Sequence, residues 1–261
     1  MMTTADLPSP ALIQTQAQWL APARAWLLRQ AGASQRQTVL DLGCGYGVTI
    51  KELEEACPGQ IVGLDHNWAA LQHGTATWTR AGPACADAVQ MPFASQAFDL
   101  VLCQLALLWM PLDATLSEIR RVLRTGGTLV AIEPDYGGMI EHPPVMATRN
   151  LWIASLERSG ADPWVGRKLP GALAELGFQV QVELMSKLTH PAPERFELLR
   201  GLSLTKTEQR QLAHIERQAK KLDKTWDQVV HLPFLLITAV LAPDSKTRPS
   251  WPNRILGALR G

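Results

Sequence analysis

Apolar and polar positions alternate with two different periods along the chain. Over residues 11–30, Ile13, Ala17, Leu20 and Leu27 share one stripe that Trp19 and Trp26 widen, which predicts an amphipathic helix. After it come short runs that are apolar on both faces: TVLDLG, IVGLD, FDLVLCQL and TLVAIE, with a weaker strand at ACADA. Helical patterns separate them. VTIKELEEACPG turns Ile50, Leu53 and Cys57 inward and stops at Pro58-Gly59. A second helix is marked by Leu71, Gly74 and Trp78, with Gly82-Pro83 as its stop. A third runs from Asp113 to Arg124, with Leu112, Leu116, Ile119 and Leu123 on one face and Thr125-Gly126-Gly127 as its end. Doubly apolar strands alternating with helices predict a parallel sheet covered on both sides, a doubly wound α/β fold.

The second half reads differently. FQVQVELM alternates strictly, with Phe178, Val180, Val182 and Leu184 facing one way, as in a half-exposed strand near a sheet edge. LPFLLITAVL, bounded by Pro233 and Pro243, predicts a last strand. Residues 204–228 read as a helix with Leu212, Ile215, Ala219, Leu222 and Trp226 on one stripe, and Thr205 with Glu208 suits a capping box. The expected organisation is a single domain over 1–261. It comprises an N-terminal helical segment (1–36), a binding core (37–135), helical cap insertions (136–177 and 190–230) and last strands at 178–189 and 232–242.

Composition narrows the function classes. With 46% apolar residues the chain can fill a substantial core, and 19% charged residues argue against wholesale disorder. A formal net charge of +1 gives no pull toward nucleic acid or anionic membrane. The one basic cluster, Lys220, Lys221 and Lys224, reads as a solvated helix face. Cys44, Cys57, Cys85 and Cys103 are far apart with no CxxC pair, so neither a disulfide frame nor a metal site is expected. No charged start leads into an apolar run, and no apolar run approaches the ~20 residues of a spanning helix. The expectation is a cytoplasmic protein that uses neither membrane nor nucleic acid.

The chemistry concentrates in LDLGCGYGVT, where Gly43, Gly45 and Gly47 follow the first strand. In such sheets ligands sit beyond the carboxyl ends of the strands, and glycine lets the backbone turn tightly against them. A dinucleotide fingerprint needs a third glycine where Val48 stands, and no P-loop lysine follows. Asp41, two residues before the turn, opposes a polyphosphate. An acid before a bare-backbone turn fits a ligand with positive charge and an adenosine but no phosphate. S-adenosylmethionine, whose product is S-adenosylhomocysteine, has those properties. Asp65, closing the second strand, can accept from ribose hydroxyls. Asp87, closing ACADA, can accept from an adenine amino group, with Met91, Pro92 and Phe93 beside the ring.

VLDLGCGYG, GLD, ADAVQMPFASQAFDLVLCQLALLWM and EIRRVLRTGGTLVAIEP together resemble the successive motifs of class I S-adenosylmethionine-dependent methyltransferases, and most of all the small-molecule branch with its quinone-pathway and natural-product enzymes. The resemblance covers about residues 37–135 and, more weakly, GRKLPGALAELGFQVQV. It implies a Rossmann-like seven-stranded sheet whose last strand, LPFLLITAVL, runs antiparallel between the fifth and sixth. It implies cofactor contacts at Asp41, Gly43, Gly45, Asp65, Asp87 and Ala88, with Cys103 and Gln104 near the methionine part; Cys44, Tyr46, Gly47 and His66, within or beside these motifs, are expected contacts as well. Where many relatives carry a histidine pair after the fourth strand, this chain has Leu108 and Trp109.

Methyl transfer from a sulfonium needs mainly near-attack geometry in a dry site, with a base only if the acceptor must lose a proton. Candidate catalytic residues lie in EPDYGGMIEHPP: Asp135, Tyr136 and His142, with Glu133 behind them and Trp109 and Trp164 as apolar walls. No N/D-P-P-Y/F motif suggests a DNA base as acceptor, and no basic stripe suggests RNA. A small-molecule acceptor is the expectation. Two alternatives stay open on the same fold: another adenosyl-ligand enzyme, and a protein that binds S-adenosylmethionine without methyl transfer. The N-terminal helix is expected to close over the cofactor. Nothing in the sequence fixes an oligomeric state.

Overall fold

Residues that are apolar on both faces become buried strands, and the stretches between them become the helices that cover the two faces. The computed structural model describes residues 7–185, 188, 190–222, 224 and 226–243. The strands are β1 (Thr38–Leu42), β2 (Gln60–Asp65), β3 (Gly82–Cys85), β4 (Phe98–Gln104), β5 (Leu123–Pro134), β6 (Ile140–His142), β7 (Phe178–Leu184), β8 (Val229–His231) and β9 (Phe234–Leu241). The helices are α1 (Pro10–Gln30), α2 (Ile50–Ala56), α3 (Trp68–Thr75), α4 (Leu112–Val122), α5 (Arg149–Arg158), α6 (Val165–Glu175), α7 (Glu194–Arg200) and α8 (Lys206–Ala219).

The main sheet has seven strands in the order β3-β2-β1-β4-β5-β9-β7. The first five pair in parallel, and β9 runs antiparallel to both β5 and β7, from Thr128↔Val240 to Pro134↔Phe234 on one side. The antiparallel last strand is therefore where the resemblance put it. Side chains alternate across the sheet as a two-residue period demands. Leu100, Leu102, Val130 and Ile132 face the layer of α1 and α2, with Leu20, Leu27 and Leu53. Val101, Cys103, Leu129 and Ala131 face the layer of α4 and α6, with Leu116, Ile119, Leu169 and Leu173. Burying each such leucine stabilises the fold by roughly 1.5–3 kcal/mol before entropy is charged against it.

Several boundaries move, each for a local reason. The helix expected over 113–124 ends at Val122, because Leu123 already pairs with Phe98 in β5. The register then shifts between the Phe98 and Leu100 pairs, and Gly126, at φ +78°, absorbs the shift. Gly82-Pro83 belongs to β3 instead of stopping a helix, and β3 ends at Cys85, two residues before Asp87. β7 lies at the sheet edge, but only Phe178 of its apolar row is buried, with Val182 42% and Leu184 59% exposed. Residues 186, 187 and 189 of the expected 178–189 span lie outside the described residues.

The expected cap divides. α6 packs on β5, β7, β9 and α4 along the sheet face and also reaches the turn at Leu107–Trp109 past β4. The segment just past β5 is met instead by α5, which packs on α7 and through it on α8. A small antiparallel ribbon of β6 and β8, unforeseen in the sequence, closes this side. α8 stops at Ala219, where the Gln228 carboxamide donates to the carbonyls of Ala219 and Leu222 and draws the chain back. Trp226 is therefore off the helix and exposed. The capping box of Thr205 and Glu208 is present in both directions. Thr205→Ala is expected to lower stability by about 1 kcal/mol, read as a shift of the urea midpoint without a change in slope.

Candidate active site

The glycine turn is pinned onto the end of β2. The Gly43 and Cys44 N–H groups both donate to the Leu64 carbonyl, at 2.8 and 3.1 Å. Asp65, the last residue of β2, clamps the other side: Oδ2 accepts from Gly45 N–H at 2.8 Å and Oδ1 from Asn67 N–H at 2.9 Å. Gly43, at φ +72°, cannot carry a side chain, since a Cβ there would lie 2.5 Å from that of Ala106. Gly47, at φ +68°, serves a different neighbour. Its missing Cβ makes room for the Trp78 indole, which also lies against Gly63 and Gly74. Leu7, shortly before α1, reaches to Gly45 of the turn.

Asp41 is buried behind the turn and accepts from the Thr49 hydroxyl. Burial pushes its carboxyl up to about 6, against the pull of Thr49 and the Arg24 cation. Cys44 and Cys103 are buried thiols pushed well up by burial and by nearby carboxylates. Gln104, ending β4, accepts from Arg24 Nη1 at 2.8 Å, while Arg24 Nε donates to Glu52 Oε2 at 2.7 Å. Arg24 thus ties α1 to α2 and to the end of β4. Tyr46 turns toward α3, edge-on to His73 at 5.4 Å. His66 is exposed with Nδ1 3.5 Å from Asp65. Asp87 is exposed, its Oδ1 accepting from Val89 N–H at 3.1 Å, and Ala88 is buried beside it.

Beyond β4 and β5 the three catalytic candidates separate. Asp135 is engaged on both oxygens by Arg167, Nε to Oδ1 at 2.9 Å and Nη2 to Oδ2 at 2.7 Å, and that guanidinium lies over Trp164. It is an ion-pair anchor between β5 and α6, not a free base. His142 is exposed on β6, opposite Val229. Tyr136 is buried against Trp152, ring centroids 5.2 Å apart, and burial together with Glu133 raises its phenol. Leu108 is buried and Trp109 half-buried in the turn after β4.

Glu133 is the least expected group here. It is fully buried, and its Oε1 accepts from the N–H groups of Ala106 and Leu107 at 3.0 and 2.9 Å. Leu105, at φ +55°, turns the chain so that both donors converge on it. Oε2 has no partner. Backbone donors lower a carboxyl's pKa, yet burial outweighs them and Glu133 is pushed up to about 8. Among the described residues no cluster of three or more His, Cys, Asp or Glu is placed to hold a metal, and no helix is long and apolar enough to cross a membrane.

A family profile described as a methyltransferase domain matches residues 40–131. An uncharacterized methyltransferase of Schizosaccharomyces pombe is 30% identical over 178 residues, 62% of this chain and 67% of the relative. A malonyl-(acyl-carrier protein) O-methyltransferase of Legionella pneumophila is 40% identical over 97 residues, 35% of this chain and 34% of the relative. The match thus spans about a third of that relative's length. Among solved structures, a putative methyltransferase from Bacillus halodurans superposes with a TM-score of 0.63 at 20% identity, over 84% of this chain and 98% of that one. A seven-stranded sheet with an inserted antiparallel strand and an acid-flanked glycine turn after β1 defines a Rossmann-like methyltransferase fold. The chain belongs to the class I S-adenosylmethionine-dependent methyltransferases.

Proposed function

We propose that the protein transfers a methyl group from S-adenosylmethionine to a small-molecule acceptor. The observation that carries this reading is the clamp of Asp65 on the glycine turn. It leaves a carboxylate at the carboxyl end of β2 with further lone pairs for ribose hydroxyls, beside bare backbone and the buried Asp41. In this assignment Gly43 and Gly45 give close backbone approach, and Asp41 faces the positive methionine end. Asp87 and Ala88 meet the adenine, and Cys103 and Gln104 line the methionine side. Cys44, Tyr46, Gly47 and His66 complete the surround, with Gly47 acting through Trp78. The donor set suits the ligand chemically: carboxylates face its cations and hydroxyls, and no P-loop lysine stands ready for a phosphate. When bound, S-adenosylmethionine supplies a methyl group on a sulfonium that departs as a neutral thioether.

The same reading treats 1–261 as one methyltransferase domain, with 37–135 holding the cofactor and α5, α7, α8 and the β6–β8 ribbon covering the acceptor. A small apolar acceptor is favoured by the surroundings of Tyr136, where Met139, Met146 and Trp152 are buried in one cluster. The near-neutral charge argues for work in solution, without membrane or nucleic acid.

Calorimetric titration tests the reading. S-adenosylmethionine is expected to bind in the micromolar range and NADH not at all. Asp65→Ala is expected to weaken binding by about 1–3 kcal/mol, a rise in Kd of roughly five- to a hundredfold, since charge-assisted hydrogen bonds are lost. An unchanged Kd in the variant, or NADH binding alone, would sink the assignment.

A further inference from the structure

Glu133 and Tyr136, close in sequence at the end of β5, both have hydrogen-bonding capacity that the described fold leaves unused. Glu133 Oε2 is buried and unpartnered, and the Tyr136 hydroxyl makes no hydrogen bond among the described residues. They are near enough for the carboxylate to act on the phenol, yet they do not bond to each other. The other oxygen of Glu133 holds Ala106, and Ala106 packs against Gly43, so the pair adjoins the glycine turn. Beside the pair lie Leu107, whose N–H donates to Glu133, and Trp152, whose ring packs on Tyr136, and both belong to one buried apolar cluster with Leu108, Met139 and Met146. Leaving a buried carboxyl oxygen unpartnered costs about 1–3 kcal/mol, which a purely structural role does not require.

We propose that Glu133 Oε2 and the Tyr136 hydroxyl together receive the reacting group of the acceptor, an uncharged O–H or N–H carried on an apolar body, and that Glu133 takes its proton. This rests on the functional reading above. The groups facing Glu133 fit the assignment. Cys103 approaches from β4, and Asp41 of β1 acts on that same thiol. Tyr136 follows β5, and Leu235 is the residue paired across β9. Arg167 is committed to Asp135 and Arg24 to Glu52 and Gln104, so neither of these cations is free to pair with an anionic acceptor.

Burial pushes Glu133 up to about 8, so at pH 7 its neutral form predominates. A neighbouring positive charge favours the carboxylate, so Glu133 gives its proton to solvent when the cationic ligand binds. The carboxylate then accepts the proton of the acceptor. The O–H or N–H bond breaks toward Oε2, the new O–C or N–C bond forms, and the S–C bond breaks with its electron pair on sulfur. Glu133 ends neutral, as it began, and one proton per turnover reaches solvent.

Proton linkage tests this without any acceptor. S-adenosylmethionine and S-adenosylhomocysteine are titrated at pH 7 by calorimetry in phosphate and in Tris, whose ionisation heats differ. Wild type is expected to release most of one proton with the first ligand and almost none with the second. Glu133→Gln, isosteric and still able to accept from Ala106 and Leu107, is expected to bind with most of that release lost. Tyr136→Phe is expected to keep it. Equal proton release by wild type and Glu133→Gln, or by the two ligands, would overturn the role of Glu133. Failure of wild type to bind S-adenosylmethionine would overturn the functional reading and this inference with it. For the acceptor class, 2-naphthol is expected to bind the S-adenosylhomocysteine complex at least tenfold more tightly than 2-naphthoate. The opposite order would overturn it.

Discussion

Raising the pH from 5 to 8 is expected to cost the unliganded protein several kcal/mol of stability, and Glu133→Gln is expected to remove most of that loss. Glu133 sits near 8 in the folded chain against 4.5 when unfolded, and Asp41 near 6 against 3.8. A carboxyl whose folded pKa is raised binds more protons folded than unfolded over the interval between the two values. Stability therefore falls as pH rises through that interval. For Glu133 the window runs from about 4.5 to about 8, with a total on the order of 3–5 kcal/mol. Asp41 adds a smaller loss over the lower part of it. Several groups work the other way, Glu54 and His231 among them. Glu54, lowered to about 2 although burial opposes its bonds from Thr79, Arg80 and Ala81, gains its stabilisation below this window. His231, lowered by burial, favours folding as pH rises through its ordinary range. Urea midpoints at pH 5, 6, 7 and 8 for wild type and Glu133→Gln check the sign and the source together. Parallel curves for the two proteins would show that Glu133 is ionised in the fold.

Gly47→Ala is expected to destabilise the protein by about 2–5 kcal/mol. Two effects add. A side chain at φ +68° costs roughly 1–2 kcal/mol, and overpacking against the indole typically adds 1–3 kcal/mol. The second effect has a known address, because the new methyl group would lie on Trp78. In a Trp78→Ala background the same change is expected to cost only the backbone strain. A double-mutant cycle on thermal or urea unfolding reads the difference as a coupling of about 1–3 kcal/mol. Strict additivity would mean that the glycine answers to the backbone alone. The same cycle followed by cofactor titration separates the two uses of the turn, since Gly43 abuts Ala106 whereas Gly47 abuts Trp78.

The sheet was legible because its strands are apolar on both faces and its helices carry a clear stripe, as in Leu112, Leu116 and Ile119. The acids at the strand ends were legible because Asp41 and Asp65 interrupt apolar runs. Arg24 was not recognised, although a signal existed: it falls between Leu20 and Leu27 on the buried stripe of α1, where a cation needs partners. Trp78 fits a helical spacing with Leu71 and Gly74, but α3 ends at Thr75 and the indole is also set by Gly47 and Gly63, distant in sequence. No local pattern encodes that. Asp135 looked like a base because Arg167, its partner, lies 32 residues away on another element. The β6–β8 ribbon joins three-residue strands too short to carry any periodicity. The role of Glu133 depends on Leu105 turning two N–H groups toward it, a tertiary arrangement.

The position of β9 has a consequence for biosynthesis. The strand enters between β5 and β7, yet it is the last element of the described chain. Until residues 234–241 emerge, the nascent protein holds two open strand edges, those of β5 and β7, with nothing between them. Both are apolar enough to seek other chains, and β7 still exposes Val182 and Leu184 after assembly. Completion of the sheet is therefore a late, non-local event, and a ribosome that stops short of Phe234 releases a chain with two vacant edges.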